Sequence, residues 1–466
     1  MSIKQIYSKW PSNENSEIIL DGVIEFKRTN SDKLFFLVLR DGSCFRTIQA
    51  VCNEEKMQNY DTINAANRGS SIRLIGKLIK SPSDKQPFEL AVNSGEVYGE
   101  VAETYPLQKA RLPLDVLRQY PHLRMRTRTF QGVTILRNFL QFEVHKFFNK
   151  MDFLHIATPL LTSNDCEGAG ETFDIGDKFF GKNVHLTVSG QLHVETFAHA
   201  FRNVYTFGPT FRAENSNTSR HLVEFWMIEP EMAFIGFKDL MMNMELFLKY
   251  ICGRVLEEHR DILDFFATFY EKDLLEKLEK IRDGRFLKKR YDECLRFLLG
   301  EIECGNIVVD TKGGKTYRME SGVLVLEKTP EFGDDFGSEI EKYLVEEFGN
   351  QPVFITHFPR KLKSFYMRLD RENPQLMEAC DLLVAGMGEL MGGSMREENL
   401  TILEEVMQEK NVPKEGLEWY SDMRKYGTMP HGGYGIGFER LVCLVTGMKN
   451  IRDVIPFPRT PNNCFA

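Results

Sequence analysis

Between residues 17 and 100, apolar and polar positions alternate in short runs. EIILDGVIEF (17–26), KLFFLVLRDGS (33–43), FRTIQAVCN (45–53), SIRLIGKLIKS (71–81) and FELAVNSGEVYG (88–99) are rich in β-branched and aromatic residues. Such runs, bounded by turn residues, predict five strands. Asp41-Gly42 is a hairpin turn signal. Five short strands in this span predict a small barrel of the OB-fold type, an architecture that binds oligonucleotides by stacking bases on aromatic rings. Phe36, on the second strand, is a candidate ring, with a core phenylalanine as the alternative.

The pattern changes after a connector punctuated by Pro106, Pro113 and Pro121. TFQGVTILRNFLQFEVHKFFNK (129–150) has the helical period, and FLHIATPLLT (153–162) reads as an extended run broken at Pro159. From about 184 to 235 strands, a helix at 191–202 and a long polar loop alternate; residues 238–300 are mostly helical and charged. Residues 303–330 predict a hairpin-bearing excursion with Gly313-Gly314 at its tip. This order lacks βαβα regularity, so it predicts an α+β domain on an antiparallel sheet flanked by helices. The boundaries expected are 1–103, 104–128 and 129–466. Neither GxGxxG nor GxxxxGK[ST] occurs, so any nucleotide is held without the common glycine-rich phosphate loops.

Composition adds constraints. The 466 residues suit two or three domains, and 42% hydrophobic with 27% charged residues is ordinary for globular chains. No apolar run is long enough to span a bilayer, and MSIKQIYSKWPSNENSE lacks the apolar core of a secretion signal. The nine cysteines are odd in number and form no CxxC pair, so neither a disulfide framework nor a zinc ribbon is indicated. A reducing cytoplasm is expected. The net charge of −8 argues against indiscriminate coating of nucleic acid. A local exception is 106–128, where Lys109, Arg111, Arg118, Arg124, Arg126 and Arg128 face only Asp115. That segment could meet phosphates or be a solvated connector.

Four segments carry candidate chemistry. In VYTFGPTFRAENSNTSRHLVEFWMIEPEMAF (204–234) a strand ends at Arg212 and Glu214, a polar loop holds Arg220 and His221, and a second strand returns. Alternation puts Arg212 and Glu214 on one face, and a guanidinium fork suits phosphate. A cross-strand ion pair on a solvated hairpin has the same pattern. In MPHGGYGIGFERLVCLVTG (429–447) a glycine-rich strand runs into an apolar helix with Arg440 in its first turn. This suits close approach of an anion, or plain strand–helix packing. In CDLLVAGMGELMGGSMREE (380–398) Asp381 and Glu389 are hard oxygen donors that could hold Mg²⁺ with nucleotide phosphates, and Arg396 could fix a carboxylate or carbonyl. Asp381 alone also reads as a turn residue. In TPLLTSNDCEGAGETF (158–173) Glu167 sits in a glycine-rich loop and could bind an ammonium, or be ordinary loop.

Together, Pro159 in an extended run, FRAE with a returning strand, and GIGFER leading into a helix resemble the three motifs of class II aminoacyl-tRNA synthetases. The chain resembles the asparaginyl-tRNA synthetase family most. SGQLHVETFAHAF (189–201), MGGSMREE (391–398), PHGGYGIGFERL (430–441) and RDVIPFPRTP (452–461) are similar almost word for word. The resemblance covers essentially the whole chain.

It implies an anticodon-reading OB-fold in 1–103, a basic hinge in 104–128 and a catalytic domain in 129–466. The reaction it implies uses ATP and Mg²⁺, forms asparaginyl-adenylate, and transfers asparagine to tRNA(Asn) on a homodimer whose interface includes Pro159. By the resemblance, Arg212 and Arg440 are catalytic. Glu214, Arg220, His221, Leu222, Phe225, Glu389, Gly437, Phe438 and Glu439 join them around ATP. Glu167, Ser189, Gln191, Arg212, Glu229 and Arg396 surround the amino acid, and Asp381 and Glu389 coordinate the metal. Arg28, Phe36, Gln49 and Glu89 match anticodon positions, although DGVIEF (21–26) departs from the family's usual Gly-Trp strand. The sister aspartyl family has a lysine three residues after the matching glutamine, where this chain has Val194, and its bacterial members carry a large extra domain for which there is no room here. Aspartyl or dual specificity, a stand-alone asparagine synthetase and an inactive RNA-binding paralogue are the alternatives. The last two would lack the barrel, or Arg212, Arg440 and the carboxylates, all of which are present.

Overall fold

The computed structural model describes residues 1–84, 86–108, 112–164, 172–216, 218–319 and 321–465. They form two compact units, Met1–Ile135 and Leu136–Ala466. Among them no helix is long and apolar enough to cross a membrane.

In the first unit the five expected strands are β1 (Glu17–Ser31), β2 (Leu34–Arg40), β3 (Ile48–Asn53), β4 (Ser71–Lys80) and β5 (Phe88–Gly99). They close into a barrel in the order β1-β2-β3-β5-β4, with β3 and β5 parallel and the other pairs antiparallel. Strict alternation in β2 and β3 sends Phe35, Leu37, Leu39, Ala50 and Cys52 into the core. Asp41-Gly42 does not make the tight hairpin that the dipeptide predicts. The β2–β3 connection runs from 41 to 47, because the Asp41 carboxylate accepts hydrogen bonds from Ser43 N (2.9 Å) and Ile3 N (2.7 Å). Ile3 belongs to a helix, Ile3–Lys9, that the polar N-terminal sequence concealed. A capping box between Ser2 and Gln5 starts it, and Ile3 and Ile6 are buried in the barrel core. The basic connector is also packed. Leu107, Leu117 and Phe130 form a small core, and Arg124 is 0% exposed with its guanidinium 4.3 Å from the Phe130 ring centre. Arg124 is therefore not available to phosphate. Lys109 and Arg111 lie outside the described residues.

The second unit is built on an eight-stranded sheet. Its strands are β6 (Leu154–His155), β10 (Asn203–Phe211), β11 (Glu224–Ala233), β12 (Leu287–Arg290), β16 (Val353–Pro359), β17 (Leu376–Val384), β18 (Gly388–Met395) and β19 (His431–Gly437). The order is β12-β16-β17-β18-β19-β11-β10-β6. The centre is antiparallel as expected, but both edge pairs, β12–β16 and β10–β6, are parallel, so the sheet is mixed. A small sheet of β7 (Leu161–Thr162), β8 (Asp174–Gly176) and β9 (Val184–Leu186) precedes the helix Gln191–Phe201. Helices Gln191–Phe201, Phe237–Glu258 and Gly337–Glu347 pack on the sheet.

The excursion differs from the predicted hairpin. β13 (Ile307–Val309), β14 (Tyr317–Arg318) and β15 (Leu324–Leu326) form a sheet in which β15 lies between the other two. Gly313-Gly314 connects two strands that do not pair. The hairpin is β14–β15, closed by Met319 N donating to Val323 O at 2.9 Å. Ile307, Leu324 and Leu326 join Tyr291, Leu298 and Phe336 in the core, so the segment packs onto the unit.

Candidate active site

One face of the antiparallel centre carries a cavity of about 350 Å³. Alternation decides what lines it. On β11, Phe225, Met227 and Glu229 face it; on β19, Gly435 and Gly437 do. Gly435 pairs with Gly392 and Gly437 with Met227, so bare glycine backbone lies beside the β11 side chains on the cavity floor. Tyr434, the residue before Gly435, turns the other way and donates to Asn243 Oδ1 at 2.8 Å.

Arg212, Glu214, Arg220, His221, Leu222, Phe225, Glu389, Gly437, Glu439 and Arg440 all line the cavity, as expected of a nucleotide site. The Arg212 guanidinium lies 5.4 Å from the centre of the Phe225 ring. His221 Nδ1 meets Thr218 Oγ1 at 2.5 Å, and its Nε2 lies 3.5 Å from the Glu214 carboxylate. Arg220 donates to Met387 O, and burial lowers its pKa. Arg440 Nη1 donates to Glu389 O at 3.2 Å and to Glu389 Oε2 at 3.4 Å. One residue expected at this site is absent from the lining. Phe438 does not line the cavity: it is 0% exposed, packed edge-on against Phe207 and under Arg137. The Glu439 carboxylate accepts from Trp226 N at 3.0 Å and pairs with Arg137 at 2.8 Å, which ties the helix Phe438–Thr446 to β11.

Asp381 and Glu389 come together on the β17–β18 hairpin. A Cβ added at Gly392 would lie 3.4 Å from Asp381 Oδ1 and 3.2 Å from Glu389 Oε1, so both carboxylates converge over that glycine. Lys363 donates to Asp381 Oδ2 at 2.6 Å. Burial raises the Asp381 carboxyl to about 6 against the pull of Lys363. Burial also acts on Glu389, but Arg440 and Lys363 hold it below its ordinary value. Glu341 joins the cluster, accepting from Glu389 N at 3.0 Å; burial and the Glu389 charge raise it to about 7. Among the described residues no group of three or more His, Cys, Asp or Glu is arranged to hold a metal alone. Two hard carboxylates beside a phosphate-sized space fit Mg²⁺, which takes few protein ligands and shares phosphate oxygens.

At the other end are Ser189, Gln191, Glu229 and Arg396. Glu229 accepts from Ser189 Oγ and from Gly190 N (2.9 Å). Arg396 is 2% exposed and bound to Glu231, Gln191 and Ser394. A Cβ at Gly433 would lie 2.2 Å from Glu231 Oε1 and 2.3 Å from Pro230 O, so only glycine there lets Glu231 occupy its place. Glu167 lies outside the described residues. Val194 does not face the cavity; it packs with Ala198, Val204 and Ile156. Its being apolar still removes a cation from the position, but Arg396, Gln191 and their partners decide what the cavity presents.

In the first unit Arg28, Phe36, Gln49 and Glu89 share the outer face of the barrel. Arg28 pairs with Phe36 in register, its guanidinium 5.1 Å from the ring centre, and Gln49 Nε2 donates to Glu89 Oε2 at 3.1 Å. In the second unit Pro159 is exposed, next to exposed Leu160 and Leu161.

Sequence reasoning missed Lys363, Tyr366, Glu231 and Glu341. Glu231 had a signal, since it shares the two-residue alternation with Glu229. Lys363 and Tyr366 sit in an irregular stretch, where no periodicity points them at Asp381 and Arg396.

Residues 114–461 match the family model "tRNA synthetases class II (D, K and N)", and residues 18–98 match the "OB-fold nucleic acid binding domain". The chain is 42% identical to the asparagine–tRNA ligase of Clostridium tetani over 99% of both chains, and 42% identical to that of Vibrio vulnificus over 96% of both. Among solved structures it is similar to asparaginyl-tRNA synthetase from Pyrococcus horikoshii complexed with asparaginyl-adenylate. The TM-score is 0.86 at 27% identity, covering 100% of this chain and 99% of that one.

Proposed function

The chain belongs to the class II tRNA synthetases and, within them, to the asparagine–tRNA ligases, and from that premise we propose that its cavity joins asparagine to ATP and passes it to tRNA(Asn). The observation that carries this reading is the meeting in one cavity of Arg212, Arg220 and Arg440 with Ser189, Gln191, Glu229 and Arg396. Three guanidiniums suit a triphosphate, and the buried polar pocket beside them suits a small zwitterion.

Arg212 holds the α-phosphate and the asparagine carboxylate together, with its guanidinium placed over Phe225 in advance. Attack of that carboxylate oxygen on the α-phosphorus forms asparaginyl-adenylate and expels pyrophosphate. Arg220 and Arg440 neutralise the outgoing phosphates. Glu214 reads the adenine amino group, while His221, anchored by Thr218, covers the outer phosphates. Ser189, Gln191 and Glu229 hold the amino acid, and Arg396 takes its side-chain oxygen. The terminal ribose hydroxyl of tRNA then attacks the acyl carbon and releases AMP. Asp381 and Glu389 would hold Mg²⁺, which supplies positive charge beside the phosphates when bound. Neither step needs a covalent enzyme intermediate.

Residues 1–103 read the anticodon through Arg28, Phe36, Gln49 and Glu89, residues 104–128 are the hinge, and residues 129–466 are catalytic. Exposed Leu154, Leu160 and Leu161 around Pro159 support a homodimer interface. The described cysteines are all free, which suits a reducing cytoplasm.

ATP–pyrophosphate exchange with each amino acid is the direct test. Asparagine should stimulate exchange; stimulation by aspartate instead would overturn the specificity. Arg212→Ala should abolish exchange, a loss of at least about 100-fold, and substantial retained exchange would remove Arg212 from the α-phosphate.

A further inference from the structure

Arg396 has five N–H donors. Nε donates to Glu231 (3.2 Å to Oε1, 3.3 Å to Oε2). Nη2 donates to Gln191 Oε1 (2.6 Å) and to Glu231 Oε1, and Nη1 donates to Ser394 Oγ (2.7 Å). One N–H, on Nη1, remains for a ligand, and the positive charge already faces Glu231. The guanidinium also lies over the Tyr366 ring, 5.2 Å from its centre, which limits its movement.

Gln191 is fixed from behind. Its Nε2 donates to Glu195 Oε2 at 3.4 Å. A carboxylate accepts only and a guanidinium donates only, so a single amide orientation satisfies both neighbours of Gln191. Glu195 is held in turn, 0% exposed, by Arg424 Nη2 (2.6 Å), His431 Nε2 (2.8 Å) and the Tyr420 hydroxyl (2.8 Å). Arg424 also donates from Nε to Glu397 O at 2.9 Å. None of Glu195, Tyr420, Arg424 or His431 lines the cavity.

We propose that the buried Glu195–Arg424 pair is a specificity-positioning device: through Gln191 it holds Arg396 as a single, charge-matched donor that donates to a carboxamide oxygen and refuses a carboxylate. It rests on the reading that Arg396 faces the amino acid's side chain. A carboxamide oxygen needs one donor and brings no charge. A carboxylate seeks the guanidinium's two-donor fork, which is taken, and would bring a second anion beside Glu231 in a buried site.

The test is ATP–pyrophosphate exchange by the full chain with asparagine and with aspartate. Glu195→Gln keeps the shape but places an N–H₂ group against a donor, freeing the Gln191 amide to turn. It should raise the KM for asparagine about tenfold, leave the KM for ATP within about twofold, and lower the asparagine-to-aspartate ratio of kcat/KM about tenfold. An unchanged ratio, or asparagine and ATP constants rising together, overturns the proposal. Tyr420→Phe removes one donor from Glu195 and leaves both charges paired, so it decides the matter where Glu195→Gln yields too little folded protein. Its ratio should fall about threefold, and an unchanged ratio overturns the proposal. Arg396→Lys separates the two readings: an unaltered KM for asparagine would show that Arg396 does not face the side chain at all.

Discussion

Glu341 shows how one buried carboxyl is set by its neighbours. Burial and the charge of Glu389 raise it to about 7, while the hydrogen bond it accepts from Glu389 N works the other way. The folded protein therefore keeps a proton that the unfolded chain loses above its ordinary value of 4.5. Stability contributed by this group should fall as pH rises from about 4.5 to about 7, by at most on the order of 3 kcal/mol. Glu341→Gln cannot ionise and should flatten that part of the stability profile. Urea unfolding across this range, without divalent cation, reads the difference; an identical slope in the two proteins would show that Glu341 is ionised when folded.

A β-bulge does the corresponding work for an element. In β1, Ile18, Leu20 and Ile24 point into the barrel, and continued alternation would send Phe26 and Arg28 inward as well. Between Ile24 and Phe26 the register against β2 slips by one residue. The slip reverses the faces: Phe26 becomes 48% exposed and Arg28 emerges beside Phe36. The outer patch of Arg28, Phe36, Gln49 and Glu89 depends on that extra residue. Phe36→Ala should leave ATP–pyrophosphate exchange unchanged and lower kcat/KM for tRNA charging about tenfold or more, the usual loss for one stacked base. Unchanged charging would remove the ring from anticodon recognition.

At the scale of the molecule, surface apolar residues bear on assembly. Leu154, Leu160 and Leu161 are each more than a third exposed around Pro159. Sedimentation of the full chain should give twice the mass of one chain. Leu160→Glu should shift it toward the single chain, since burying an unpaired carboxylate at an apolar interface costs several kcal/mol. A mutant that stays dimeric would place the interface elsewhere.

The sequence by itself determined most of the elements and the residue types of the chemistry. Period-two runs specified the barrel strands, and clustered Arg, Glu and Gly between apolar runs marked the segments that meet in the cavity. Local pattern suffices there because alternation and turn residues act over a few positions. What it could not determine depends on contacts across hundreds of positions or on a single slipped residue. The N-terminal helix buries its apolar face only against a closed barrel. Gly313-Gly314 looks like a hairpin tip until β15 inserts between its flanking strands. Phe438 sits inside the GIGFER segment, yet packing on Phe207 takes its side chain out of ligand reach. The brace behind Arg396 joins residues 191, 195, 231, 394, 396 and 424. No spacing along the chain reveals it, because only the folded sheet brings those buried charges within hydrogen-bond reach.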